Sequence, residues 1–309
     1  MASSASLAAI VGPTGSGKSE LAMALARLLP IEILVADSRQ VYRGMAIGTA
    51  APDAVDRAAV PHHLLDLVEP GAPFSVADWA VAARRAHAEI AASGRLPVLV
   101  GGTGLYVAAL IDGYALESGR TDDGSRARLG KELASSGLAA LAERLALADP
   151  ATAARVDLRN PRRVTRALER LASTGSAAAP VPSPWAGPLT MIGLDRPREV
   201  LHRRIDRRAE WLFANGLLDE VRTLLEAGHD PRRPPLTSHG FGEAARHLAG
   251  EWSLEQAIAV TARRTRQHAK RQMTWFRRDR RIVWIAADDE PGDAPAVVEE
   301  GYRLLSALG

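Results

Sequence analysis

Residues Gly12-Pro13-Thr14-Gly15-Ser16-Gly17-Lys18-Ser19 fit the pattern G-x-x-x-x-G-K-[ST], and they lie between an apolar run, Leu7–Val11, and a helical pattern over Leu21–Leu29. A strand, a glycine-rich turn and a helix in that order commit the chain to an anion cradle at one end of a sheet. The glycines let successive backbone N–H groups converge on phosphate oxygens, and the positive end of the following helix favours the same anion. Lys18 adds a point charge, and the Ser19 hydroxyl suits Mg²⁺. The loop does not by itself say which phosphate compound it holds.

Further apolar runs at Ile33–Ala36, Pro97–Val100 and Leu189–Leu194 are bounded by Gly, Asp or Pro, as buried parallel strands are. Helical patterns at Leu21–Leu29 and Ala77–Ala92 separate the first three, which predicts right-handed crossovers. The expected fold class is therefore α/β: a parallel sheet of the P-loop nucleoside-triphosphate-hydrolase type, flanked by helices on both faces. From about Leu116 only helical patterns follow, Ser125–Ser135, Leu138–Leu147 and Arg162–Leu171, with breaks at Gly137 and Pro150. We therefore expect a core built from 1–113 and 189–309, interrupted by a helical insertion and linker over 114–188. Helices are expected at Arg198–Asn215, Leu217–Ala227 and Leu254–Phe276, the last opened by a capping box at Ser253 and Gln256, and a short one at Val297–Leu308 after the acidic linker Asp288–Asp293.

Composition narrows the function. No run reaches the roughly 20 apolar residues of a membrane span, and the first residues lack the basic start and cleavage pattern of a signal peptide, so no membrane and a cytoplasmic location are expected. The absence of cysteine removes disulfides and thiolate zinc sites, leaving oxygen ligands for any metal. Residues 1–118 carry 8 basic and 11 acidic side chains, whereas 119–309 carry 31 and 25. Nearly all the cations are arginine, suited to bidentate phosphate contacts, although genome-level codon bias produces the same usage. Arg263–Arg281 holds nine basic residues and one acid, Asp279, with Arg263, Arg266, Lys270 and Arg277 along one helical stripe. Without a compensating acid before Asp279, the stripe reads as a phosphate-backbone contact rather than only a solvated face. No apolar heptad stands out, and a monomer is expected.

A P-loop NTPase ends a second strand in an acid for its Mg²⁺. Asp37 is the candidate here, followed by Ser38-Arg39-Gln40, while the third strand ends in Gly101-Gly102-Thr103-Gly104 without a carboxylate. Taken alone, Asp37 also admits the reading of a turn or N-cap aspartate, and Thr103 that of an N-cap, each as the lesser alternative. His62 and His63 read as packing or turn residues.

The loop, then Asp37-Ser38-Arg39-Gln40-Val41-Tyr42-Arg43-Gly44, Val100-Gly101-Gly102-Thr103-Gly104-Leu105-Tyr106, Arg163-Val164-Thr165-Arg166 and Thr265-Arg266-Gln267-His268-Ala269-Lys270-Arg271-Gln272 together resemble the tRNA dimethylallyltransferase family. The likeness covers about residues 7–280. It implies transfer of a dimethylallyl group from dimethylallyl diphosphate to the exocyclic N6 amine of the adenine beside the anticodon, with Mg²⁺ assisting departure of the diphosphate. Gly12–Ser19 would cradle the diphosphate, Ser19 would hold the metal, and Asp37, Thr103 and Arg208 would be catalytic. Arg204 lies one turn before Arg208 on the same face. The anticodon stem-loop would meet Asp37, Ser38, Arg39, Gln40, Arg162, Arg163, Val164, Thr165, Arg166, Thr237, Ser238, His239, Gly240, Phe241, Gly242, Arg266, Gln267, Lys270 and Arg271, with Arg126 reaching from the insertion. The chain departs from the family pattern at Ser238-His239-Gly240-Phe241-Gly242-Glu243, where an aliphatic-Gly-Tyr-Lys type of segment is usual, and at Leu212, where methionine is common. A P-loop small-molecule kinase, an RNA-binding protein with an inactive loop and a prenyltransferase of free adenine nucleotides are the competing readings.

Overall fold

In the computed structural model, residues 5–114, 124–178, 181–288 and 291–308 are described. The expected opening of the insertion near Leu116, two residues of its linker (179–180) and two of the acidic linker (289–290) lie outside them. The chain begins β1 (Leu7–Val11), α1 (Lys18–Leu25), β2 (Ile31–Ala36), α2 (Ala46–Thr49), α3 (Ala54–Ala59), β3 (His62–His63), α4 (Val76–Ala92), β4 (Leu96–Gly101) and α5 (Gly104–Ile111). Three helices follow, α6 (Ser125–Ala148), α7 (Pro150–Ala153) and α8 (Pro161–Thr174), before the chain returns to the sheet as β5 (Leu189–Asp195). It then runs through α9 (Arg198–Ala214), α10 (Leu217–Glu226), α11 (Phe241–Leu248), α12 (Leu254–Phe276), β6 (Ile282–Ala286) and α13 (Pro295–Ser306).

The six strands form one sheet in the order β3-β2-β4-β1-β5-β6, every neighbouring pair parallel. Alternation along β1 divides its side chains between two layers. Leu7, Ala9 and Val11 pack with Trp79 of α4 and Val107 of α5, while Ala8 and Ile10 pack with Leu21 of α1 and Val297 of α13. Each large aliphatic side chain buried in these layers contributes about 1.5–3 kcal/mol relative to exposure. All strands run the same way, so the loops after β1, β2, β4 and β5 emerge at one edge, where open α/β sheets hold ligands.

Two further apolar clusters lie outside the sheet layers. Leu129, Leu141, Leu145, Val164 and Leu168 join α6 to α8, and α6 contains the expected break, Gly137 with φ 79° and ψ 171°. Met45, Leu217, Val221, Phe241 and Ala257 join α10, α11 and α12 to the segment leading into α2. Differences from the sequence expectation are local. Helix α1 starts at Lys18 rather than Leu21, because it grows directly out of the phosphate loop. The strands β3 and β6 are additions at the two sheet edges; β3 is two residues long and β6 buries only Ile282 and Ile285, so neither is covered along its length like an inner strand. His62 Nδ1 lies 2.7 Å from the Val60 carbonyl and His63 Nε2 2.6 Å from Glu32, and His62 also lines the cavity beside the phosphate loop.

Candidate active site

The loop after β1 turns on Gly12, Gly15 and Gly17, with φ of 137°, 80° and 97°, a region that side chains bearing Cβ rarely adopt. Its shape is braced from behind. Arg196, buried at the end of β5, donates from Nε to the Ser16 carbonyl at 2.6 Å and from a terminal nitrogen to the Ala287 carbonyl at 2.7 Å. Arg204 of α9 donates to the Gly15 carbonyl at 2.8 Å and pairs with Glu20, whose other oxygen accepts from the Gly292 amide at 2.6 Å. Arg204 therefore holds the loop while also lining the adjoining cavity.

Lys18 is 9% exposed and folds back so that Nζ donates to the Pro13 carbonyl at 2.7 Å. Burial, then the nearby Arg208, pulls its pKa down to about 7 against the opposing influence of Asp37 and Glu20. Arg208, half-buried, is likewise lowered, first by burial, with Asp37 opposing and Arg204 reinforcing the shift. Two neighbouring cations whose charged forms are disfavoured by burial and by each other gain from an incoming polyanion.

Two cavities meet at this edge of the sheet. One, about 460 Å³, is lined by Thr14, Gly15, Gly17, Lys18 and Ser19 of the loop, with Gln40, Arg204 and Arg207. The other, about 370 Å³, is lined by Ser38, Arg39, Thr103, Thr237, Ser238, His239, Phe241, His268 and Arg271. Thr14, Asp37, Thr49, Arg208 and Gln272 line both and form their junction. A site that receives an anion on one side and an organic acceptor on the other, with a carboxylate between them, has the layout of group transfer away from a phosphate.

The junction residues are fixed by hydrogen bonds across distant elements. Asp37 Oδ1 accepts from the Arg39 amide at 2.8 Å, a short turn that orients the carboxylate. Thr103 stands at the N-cap position of α5 yet makes no capping bond; its hydroxyl instead accepts from the Ser38 amide at 3.1 Å, tying β4 to the Asp37 turn. The Thr49 carbonyl accepts from Gln40 at 3.2 Å and from Arg208 at 3.1 Å. Behind it, Glu220 of α10 accepts from the Ile47 and Gly48 amides at 2.7 and 2.8 Å, satisfying orphan donors at the start of α2. Gln272 of α12 accepts from the Thr14 amide and donates to the Gly102 carbonyl, both at 2.9 Å. A Cβ on Gly102 would stand 2.3 Å from Gln272 Nε2, so this approach requires glycine.

The chain shares this architecture with known proteins. The profile of the family described as IPP transferase matches residues 40–279, and one described as isopentenyl transferase matches 5–59. The chain belongs to the IPP transferase family. It is 45% identical over 307 residues to the tRNA dimethylallyltransferase of Heliobacterium modesticaldum, covering 97% of this chain and 95% of that one. With the tRNA dimethylallyltransferase of Anaeromyxobacter dehalogenans the identity is 47% over 292 residues, 92% and 96% of the two chains. Among solved structures, the full-length tRNA isopentenylpyrophosphate transferase of Bacillus halodurans superposes with a TM-score of 0.72 at 40% identity, covering 98% of this chain and 96% of that one. A eukaryotic dimethylallyltransferase acting on tRNA gives a TM-score of 0.75 at 27% identity, over 93% and 75% of the chains. Fold and family thus agree with the sequence expectation.

The remaining sequence-predicted residues divide into three groups. Thr237, Ser238, His239, Phe241 and Arg271 line the second cavity with Asp37. The segment around them is a turn entering α11, not an extended reader: Gly240 caps the helix, fully buried Glu243 accepts from the Gly240 amide at 2.8 Å, and Arg264 pairs with Glu243. Phe241 is fully buried in the apolar cluster of α10–α12, which limits it to forming the cavity wall. Arg266, Gln267 and Lys270 face away, lining a separate groove of about 800 Å³ between α9 and α12. Arg126, Arg162, Arg163 and Arg166 lie in the α6–α8 lobe outside both cavities, Arg126 and Arg166 sharing Glu169 at 3.2 and 2.8 Å. Val164 is a correction: it is fully buried among Leu129, Leu141 and Leu168, so its side chain has no outer face to offer. Thr165 donates to its own helix, at the Pro161 carbonyl, 2.9 Å away.

The basic helix needs a second correction. Acids absent from its own sequence arrive from other elements: Arg264 pairs with Glu243, Arg266 with Asp206, Arg277 with Asp195 at 2.6 Å, and Arg281 with Asp112 at 2.7 Å. Among the described residues, Arg263, Lys270, Arg271, Arg278 and Arg280 make no ion pair.

Gln272, Arg196 and Glu220 were absent from the sequence-predicted set. Gln272 had a readable signal, for Thr261, Thr265, His268 and Gln272 recur at intervals of four, three and four and line the second cavity together. Arg196 has none, and Glu220 lies in the segment Gly216–Val221 that shares the family resemblance, although its pairing with amides about 170 residues away is not visible locally.

Proposed function

We propose that this chain transfers a dimethylallyl group from dimethylallyl diphosphate to the exocyclic amine of an adenine beside the anticodon of a tRNA, releasing diphosphate. The observation that carries this reading is the junction of a phosphate cradle and a second polar cavity at one carboxylate, Asp37. The diphosphate occupies the loop, with Lys18 and Arg208 meeting its charge as the C–O bond breaks. The amine nitrogen forms the new C–N bond, its proton passes to Asp37, and the electron pair of the broken bond leaves on the diphosphate. Thr103, bonded to the Ser38 amide, orients the acceptor beside Asp37.

The donor set suits Mg²⁺: Ser19 lines the diphosphate cavity, and its hydroxyl is a hard oxygen ligand. Mg²⁺, held by Ser19 and the diphosphate oxygens, would supply further charge stabilisation to the leaving group.

Arg39 and Arg271 at the second cavity, with Arg162, Arg163 and Arg166 on α8 and Arg126 on α6, supply the cations for the stem-loop backbone, and Arg263 and Lys270 extend the field along α12. The chain works as a core of 1–113 and 189–309 with an insertion over 114–188 that closes on the RNA. It acts as a cytoplasmic monomer; no described helix is long and apolar enough to cross a membrane. The small-molecule kinase reading is disfavoured because the likeness to tRNA-modifying enzymes extends over nearly the whole chain rather than the loop alone. Mass spectrometry of tRNA incubated with the protein, dimethylallyl diphosphate and Mg²⁺ tests the proposal. A five-carbon unit on one adenine is the expected product, and unmodified tRNA with phosphorylation of a small alcohol by ATP would replace it with the kinase reading.

A further inference from the structure

His239 lines the acceptor cavity together with Asp37, Thr103 and His268. Its ring lies 5.3 Å, centroid to centroid, from that of His268, tilted by 57°, so the two imidazoles stand together on the cavity wall. His239 Nδ1 is buried and has no hydrogen-bond partner among the described residues. An unpaired buried N–H is rarer and costlier than an unpaired buried acceptor. The favoured tautomer therefore leaves the lone pair on Nδ1 and the proton on Nε2, the ring nitrogen farther from the backbone.

We propose that His239 donates from Nε2–H to a ring nitrogen flanking the reacting amine of the acceptor base, and so reads the edge of the base beside that amine. The assignment rests on the function proposed above, which puts an aminopurine in this cavity. In such a base the two ring nitrogens nearest the exocyclic amine carry lone pairs and no proton, so they need a donor. Asp37 takes the amine side as an acceptor, and a neutral histidine supplies the complementary donor.

The surroundings keep the imidazole in that form. Burial lowers the His239 pKa to about 4, reinforced by His268, Arg264, Arg271 and Arg39. Burial and Arg271 lower His268 as well, with Asp37 opposing. With both rings uncharged near neutral pH, the contact discriminates by hydrogen-bond direction rather than by attraction to any anion.

The test is a cycle of kcat/KM values for anticodon stem-loop RNAs carrying adenosine, 1-deazaadenosine or 7-deazaadenosine at the acceptor position. Each RNA is assayed with the wild-type protein, His239→Phe and His239→Gln. Wild type is expected to lose about tenfold on one of the two deaza RNAs, as for one hydrogen bond left unmade. His239→Phe should lose a similar factor on adenosine and nothing further on that same deaza RNA, while His239→Gln, which keeps a donor, should recover part of the loss. Wild-type tolerance of both deaza RNAs, or penalties that multiply in His239→Phe, overturns the assignment, and the wild-type arm does not depend on any variant folding. No product from wild type on the adenosine RNA overturns the underlying reading, and this assignment with it.

Discussion

The Gln272 side chain accepts a hydrogen bond from the Thr14 amide at 2.9 Å while its nitrogen donates to the Gly102 carbonyl at the same distance. One amide group thereby fixes the spacing between the phosphate loop and the turn that carries Thr103. Its replacement by alanine leaves a partly buried donor and acceptor unmade, worth about 1–3 kcal/mol. Gln272→Ala is expected to lower kcat/KM roughly ten- to a hundredfold. Gln272→Glu should do worse, since it cannot donate to Gly102 and brings a negative charge to the diphosphate. Steady-state prenylation assays with both variants check the order.

Lys18 sets a pH dependence. With a pKa near 7 in the free protein, it is charged below that value and increasingly neutral above it, with burial and Arg208 depressing it and Asp37 and Glu20 opposing them. Diphosphate binding favours the ammonium, so affinity should fall as pH rises through about 7, by up to about tenfold per unit. Calorimetry in buffers of different ionisation enthalpy should detect proton uptake on binding above pH 7. Lys18→Met should bind weakly at every pH with the uptake gone.

Glu220 holds the amides of Ile47 and Gly48, and α2 in turn presents the Thr49 carbonyl to Arg208 and Gln40. Glu220→Ala is expected to cost about 1–3 kcal/mol of stability. It should also raise the KM for dimethylallyl diphosphate, because Arg208 loses its anchor. Thermal melts and kinetics together decide: a lower melting temperature with an unchanged KM would mean the brace serves the fold alone.

Asp37→Asn keeps the turn acceptor for the Arg39 amide but cannot take a proton. A drop in kcat of about 10²–10⁴ is expected. Dimethylallyl diphosphate affinity, measured without RNA, should change little.

Arg162 and Arg163 lie exposed at the start of α8, where Asn160 caps their amides. Replacing both with alanine should weaken tRNA binding without altering kcat on bound RNA. The slope of log K against log salt should shrink by about one per phosphate contact removed. A slope identical to wild type would remove α8 from the RNA footprint.

The sheet edge that carries the two cavities was legible where local sequence dictates geometry. The phosphate loop, the strand ends at Asp37 and Gly101, the cap at Ser253 and the break at Gly137 each follow from a few adjacent residues. What escaped depends on pairing over distance. The acidic partners of Arg264, Arg266 and Arg277 come from α11, α9 and the end of β5, so a helix that reads as an unbalanced cationic face is half neutralised once folded. The turn at 237–243 was hidden for the same reason, since its conformation is set by Glu243 pairing across to Arg264.

The bond between Thr14 and Gln272 joins residues 258 positions apart. On a ribosome adding about 5–20 residues per second, the phosphate loop is exposed for roughly ten seconds or more before α12 emerges to complete it. During that interval the nascent chain has a cradle without its clamp. Competence for chemistry therefore waits on residue 272, and a product cut short before Gln272 would be expected to fail as an enzyme even if its loop formed.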